Sequence, residues 1–273
     1  MIAVSLIGRL PRAVTAALLL ACAVIRPALA QTVDHQPFDA LLKRHVVNGM
    51  VDYDAFRREP SFAAYLQTLG AQNPAALPRD EQLAFWINAY NAWTIQLINV
   101  HNERNSIRNI NKTFGIKLKG PWSEPIATIS GRTYTLDEIE HDIIRPKYGE
   151  PRIHFALVCA AMGCPPLRSE AYTGALLDRQ LQEQGELFIR RSPGKNRVDL
   201  ASRTWHHSLI FGYYKQDFGG SVQDAARFAA RWYPAGSAER TLLESGTVRT
   251  RETTYDWTLN SQEQAKRLAS GTQ

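Results

Sequence analysis

The chain has 273 residues, 44% of them hydrophobic and 21% charged, with a formal net charge of +6 and three cysteines. Such a length buries a real core and suits one large domain or a domain with an extension. Three cysteines exclude a disulfide-dense scaffold, and basic residues scattered rather than striped give no reason to expect nucleic acid.

Residues 1–30 read as an export leader. Arg9 and Arg12 make a positive start, Ala13 to Ile25 an apolar stretch, and Ala28, Leu29 and Ala30 a small-x-small cleavage site before Gln31. The apolar stretch is shorter than the roughly 20 residues of a membrane span, and no later segment is long and apolar enough to be one. A periplasmic or secreted product starting at Gln31 is therefore expected. The run Leu19 to Cys22 also fits a lipoprotein cleavage box that would leave Cys22 lipid-modified. The leader holds three arginines and no acid, so its removal leaves a net charge of about +3.

Phe38 to Val47 has a helical pattern, Asn48 and Gly49 signal a turn, Met50 to Tyr53 a brief strand, and Ser61 to Leu69 a second helix. Gly70 to Pro78 reads as a linker, which sets an N-terminal helical extension (31–78) apart from a main domain (79–273). Glu81 to Val100 is the strongest helix and is apolar almost all the way round, as a buried helix must be. Asn88 and Asn91 share one of its faces. Buried amides need partners, so they either tie this helix to a neighbouring loop or orient a catalytic group or substrate.

Ile126 to Ile129 and Thr133 to Thr135 read as a hairpin. Thr135 and Glu138 then form a capping box that starts a helix, which Arg145-Pro146 is expected to stop. Leu136, Ile139 and Ile143 face inward on it, and Glu140 and His141 are presented from a rigid element. Ile153 to Val158 reads as a fully buried strand, followed by the turn residues Gly163, Pro165 and Pro166. Thr173 to Arg190 is a helix with Leu176, Leu177, Leu181, Leu187 and Phe188 inward. Val198 to Leu200 reads as a strand, Val222 to Trp232 as an amphipathic helix, and Val248 to Leu259 as a weaker strand. Helices with a few short strands and no βαβ alternation predict an α+β fold, a small and mainly antiparallel sheet packed by several helices.

Five stretches carry a resemblance: Phe85 to Ala92 (FWINAYNA); Leu136, Ile139, Glu140, His141 and Arg145; His154 to Arg168 (HFALVCAAMGCPPLR); Ala171-Tyr172; and Asp217-Phe218. Together, over about residues 80–220, they resemble the family catalogued as domain of unknown function 547. That family has no established activity. Its pattern allows Ser or Cys at the second thiol position, so the resemblance points to His154 and Cys159 more than to Cys164.

A thiolate is a strong nucleophile once a histidine or a cation lowers its pKa. Cys159 is the candidate nucleophile, His141 the preferred base, and Glu140 or His154 the supporting group, with Asn88 and Asn91 as further orienting partners. This inventory fits a thiol-dependent hydrolase or acyltransferase on amide or ester bonds, and by analogy a papain- or transglutaminase-like fold. On an extended strand His154 and Cys159 would point to opposite faces, which is why His141 is preferred. Competing readings make Cys159 a small core hydrophobe, His154 a satisfied core histidine, and the whole an envelope binding or scaffold domain.

Cys159 and Cys164 could instead be bridged, or join His141 and His154 as zinc ligands, although no H-E-x-x-H is present. His206 and His207 default to a solvated loop or helix start. Arg145 and Arg168 could bind a carboxylate or pair with Glu138, Glu140 or Glu170. The aromatic residues Trp86, Tyr90, Trp93, Phe211, Tyr213, Tyr214 and Phe218 read as core, or in part as a peptide or glycan cleft. No nucleotide motif occurs, and no cofactor is implied.

Overall fold

A computed structural model describes residues 32–113, 116–117 and 120–271. The expected leader, with Cys22, lies outside the described residues. From residue 31 onward the chain forms one compact unit, and it is α+β. No described helix is long and apolar enough to cross a membrane.

Helix α1 (Gln36–His45) carries Pro37 and Asp39 in its first turn and Lys43, Arg44 and His45 in its last, and buries Phe38, Leu41 and Leu42. The charges complement the helix dipole. Strands β1 (Val46–Val47) and β2 (Met50–Val51) pair antiparallel around Asn48 and Gly49, both left-handed at φ 52° and 79°, as a two-residue hairpin turn of this hand requires. A Cβ on Gly49 would come within 2.4 Å of Pro166 Cβ. The hairpin thus sits against the turn that follows Cys164. Gly49→Ala is expected to cost about 2 kcal/mol in urea denaturation, by adding left-handed strain to that clash.

Helices α2 (Tyr53–Arg58) and α3 (Pro60–Ala71) follow. Next comes α4 (Arg79–Val100), buried on nearly every face. Phe38, Phe56, Tyr65 and Leu69 from α1–α3 share one hydrophobic cluster with α4, so the N-terminal helices and α4 have a common core. Short antiparallel pairs form between β3 (Lys112–Thr113) and β4 (Ile116–Lys117), and between β5 (Ala127–Ile129) and β6 (Arg132–Tyr134).

The expected capping box is formed. Thr135 N–H donates to Glu138 Oε2 at 2.8 Å, and Glu138 N–H to Thr135 Oγ1 at 3.0 Å. The helix it starts does not stop at Pro146, however. It winds as a π-helix over Glu138–Ile144, continues as α5 (Arg145–Tyr148), and ends at Gly149, φ 57°. The wider π turn removes the register in which a proline ring strikes the preceding carbonyl. It also widens the buried face: Ile144 is fully buried beside Ile143, which packs against the core partly buried, and Glu140 is turned inward.

The strand expected over Ile153 to Val158 is not there. Pro151–Phe155 is a 3-10 helix capped by Glu150, which accepts from Arg152 N–H. The turn after it is held by Asn91, which donates to Ala156 O at 2.9 Å and accepts from Val158 N–H at 3.0 Å. Asn88 bridges Tyr172 in the same way, at 2.7 and 2.9 Å.

The predicted helix from Thr173 is a 3-10 turn, then α6 (Leu177–Gly185), then a π turn over Glu186–Arg190. Leu176 is exposed rather than inward. Strands β7 (Arg197–Asp199), β8 (Thr204–His207) and β9 (Arg249–Glu252) form a sheet with β8 central, antiparallel to β7 and parallel to β9. His206 and His207 thus lie on a strand rather than in a solvated loop; His207 is buried and His206 faces outward. Helices α7 (Leu209–Tyr213) and α8 (Val222–Ala230) pack with this sheet in a second cluster centred on Phe155, Phe188 and Phe211. Helices α9 (Ala238–Glu244) and α10 (Gln262–Ser270) flank β9 and, like α2 and α7, lie where the sequence reading placed no helix.

Candidate functional site

Glu140, His141, His154, Cys159 and Cys164 all line one cavity of about 360 Å³. The π-helix supplies Glu140 and His141, the 3-10 helix His154, and the loop after it both cysteines. Because the chain turns after Phe155, the alternation that would have separated His154 from Cys159 does not apply.

The cysteines are joined in a disulfide with Cα atoms 6.1 Å apart. The loop between them is clamped to the C-terminal segment: Met162 N–H donates to Thr258 O and Gly163 N–H to Asp256 O, at 2.7 and 2.8 Å. The Tyr255 hydroxyl lies 3.1 Å from each sulfur, and the Cys159 N–H donates to Cys164 Sγ at 3.0 Å. A Cβ on Gly163 would strike the Tyr255 ring at 2.8 Å, so glycine there lets the phenol reach the sulfurs. Lys195 donates to Cys164 O; burial lowers its amine to about 8, with Asp256 opposing.

His154 belongs to a chain of charges. His154 is buried, its Nε2 2.7 Å from Asp217 Oδ2 and its Nδ1 3.9 Å from Glu140 Oε1. Its ring stacks on Tyr214 with centroids 3.9 Å apart. Arg145 grips Asp217 through Nε at 2.7 Å and Nη2 at 2.8 Å, while its Nη1 lies 3.0 Å from His141 Nδ1. An arginine only donates, so that His141 nitrogen accepts and the other carries the proton. Burial alone would push the Asp217 carboxyl up. Hydrogen bonds from His154 and Arg145 outweigh it and hold the group well below the usual range. Burial first, and then the Glu140 carboxylate, raises the phenols of Tyr90 and Tyr214 far above their ordinary value.

Both nitrogens of His154 thus face carboxylates, and the hydrogen-bond partner of the Cys159 sulfur is a phenol. Asn88 and Asn91 hold backbone, and Arg168 pairs with Glu170 and Glu183; none of the three lines the cavity. Among the described residues no group of three or more His, Cys, Asp or Glu side chains is arranged to hold a metal ion.

The sequence reading did not assign Asp217, Tyr255, Trp122 or Trp257 to the site, and it left Tyr90 and Tyr214 as core or in part as a cleft. All but Asp217 line the cavity. Asp217 carried a signal, since Asp217-Phe218 is one of the stretches that carry the family resemblance. Tyr255 and Trp257 carried none, since they arrive from the far end of the chain.

No curated protein and no solved structure matches this chain. Residues 74–189, which hold α4, the π-helix and both cysteines, match the model described as "Protein of unknown function, DUF547", and it is that family which this chain resembles.

Proposed function

We propose that the cavity is an active site for thiol-dependent hydrolysis or transfer of an acyl group held in an amide or ester bond. Cys159 acts as nucleophile once its bridge to Cys164 is opened. What supports this reading is the convergence of Glu140, His141, His154 and Cys159, from three separate elements, on one cavity. Cys159 sulfur attacks the carbonyl carbon, the leaving amine or alcohol takes a proton, and water then releases the acyl group from the thioester. His141 is the base, and to accept the thiol proton it must exchange its contact with Arg145. His154, fixed between Glu140 and Asp217, is a positioning residue. The reading includes export, since a disulfide forms in an oxidising compartment.

With the reduced mature chain and p-nitrophenyl esters, Cys159→Ser is expected to abolish thiol-dependent turnover, and His141→Ala to lower it by roughly 10²-fold. Iodoacetamide should label Cys159 of the reduced, folded chain faster than a free thiol at neutral pH. Equal turnover by the reduced chain and Cys159→Ser, with slow labelling, would discard the proposal. A second reading is favoured by the bridge itself together with the wall formed by Trp122, Tyr214, Tyr255 and Trp257: an envelope binding module whose oxidised form holds a ligand without turning it over.

A further inference from the structure

We infer that the Cys159–Cys164 bridge is an exchange-active disulfide that accepts two electrons from a dithiol, with Cys159 as the sulfur attacked and Cys164 as the sulfur released. The inference does not need acyl transfer, and its readout is thiol state rather than turnover.

The two sulfurs are not equivalent. Both line the cavity, but Cys159 is half-buried whereas Cys164 is only 2% exposed. An incoming thiolate therefore meets Cys159 first. The released sulfur must carry negative charge, and a leaving thiol of lower pKa departs faster. The Cys159 N–H already points at Cys164 Sγ from 3.0 Å, and the Tyr255 hydroxyl, 3.1 Å from both sulfurs, gives its single proton to Cys164 as charge develops there. Donors aimed at a developing anion stabilise it without rearrangement. The Lys195 amine, on the carbonyl of the same residue, adds positive charge nearby. The clamped loop keeps these donors in place while the bridge opens.

One thiolate of the dithiol bonds to Cys159 Sγ, the S–S bond breaks, and its electron pair leaves on Cys164 Sγ. The second thiolate of the dithiol then attacks its own sulfur in the mixed disulfide and expels Cys159 as thiolate. The dithiol ends as a disulfide, and both cysteines end reduced.

The test compares Cys164→Ser with Cys159→Ser in the mature chain. Both variants lose the same bridge, so a difference between them reports the chemistry of the remaining sulfur rather than stability. With oxidised glutathione, Cys164→Ser is expected to acquire a mixed disulfide at Cys159 at least about tenfold faster than Cys159→Ser acquires one at Cys164. Wild type should be reduced by dithiothreitol without denaturant, and Tyr255→Phe, which keeps the ring on Gly163, should slow this roughly tenfold. Equal or reversed rates in the two serine variants, or reduction only under unfolding conditions, would overturn the inference. An unchanged rate in Tyr255→Phe would remove the assignment of the phenol as donor to Cys164.

Discussion

Replacing Phe155 by alanine is expected to lower the unfolding free energy by about 3–5 kcal/mol, the usual cost of deleting a buried aromatic ring. Phe155 is fully buried, and the rings of Phe188, Phe211, Phe218 and Trp232 surround it with centroids 5.5 to 6.1 Å away. These neighbours come from the π turn after α6, from α7, from the 3-10 turn that follows it and from the segment after α8, so the void cannot be filled by moving one element. The residue also has a positional task. On a tight 3-10 turn successive side chains diverge by about 120°, which sends His154 to the cavity and Phe155 into the second cluster. Packing around the phenylalanine thereby anchors the imidazole. Phe155→Leu, which keeps most of the volume, should cost less than about 1.5 kcal/mol. Urea midpoints at constant slope measure both; a loss under 1 kcal/mol for the alanine variant would show that the cluster collapses onto the gap.

The parts of this fold that the sequence disclosed are those specified locally. The apolar sweep of α4, the Asn48-Gly49 turn and the Thr135–Glu138 capping box each use residues within a few positions of one another. What stayed hidden depends on partners far away. Ile153 to Val158 looks like a strand because a short apolar run has no distinguishing period; it is not one because Asn91, on α4, claims Ala156 O and Val158 N–H. Glu140 faces inward because the helix winds with a π period that a 3.6-residue wheel does not represent.

The candidate site was legible in the same uneven way. Its thiols and imidazoles stand out by residue type. Their roles were set by residues whose types say little: Asp217, which occupies His154, and Tyr255, which serves both sulfurs. Asp217 and Tyr255 lie beyond residue 189, where the family match ends.

Asp217→Asn is the substitution expected to disturb the cavity most. The carboxylate accepts three bonds, two from Arg145 and one from His154. An amide offers one oxygen, and its own N–H groups would meet guanidinium or imidazole donors. Breaking a buried ionic contact by removing one partner costs about 3–5 kcal/mol. The lower end, about 3 kcal/mol, is expected because the Asp217 and Arg145 side chains remain 24% and 27% exposed and water takes up part of the lost interaction. The pH dependence has a definite sign. The folded carboxyl is depressed below its unfolded value, so its contribution is complete above the unfolded pKa of about 4 and drains away as pH falls toward the folded one. The gap in unfolding free energy between wild type and variant should therefore stay level from about pH 7 to 5 and narrow below about pH 4. A gap undiminished at about pH 2.5 would mean that the aspartate acts through shape rather than charge. Because Arg145 also reaches His141, the same variant takes the carboxylate from His154 and loosens the arginine that contacts His141. Iodoacetamide labelling of its reduced form then measures whether the charge chain holds the bases away from Cys159 or holds them ready for it.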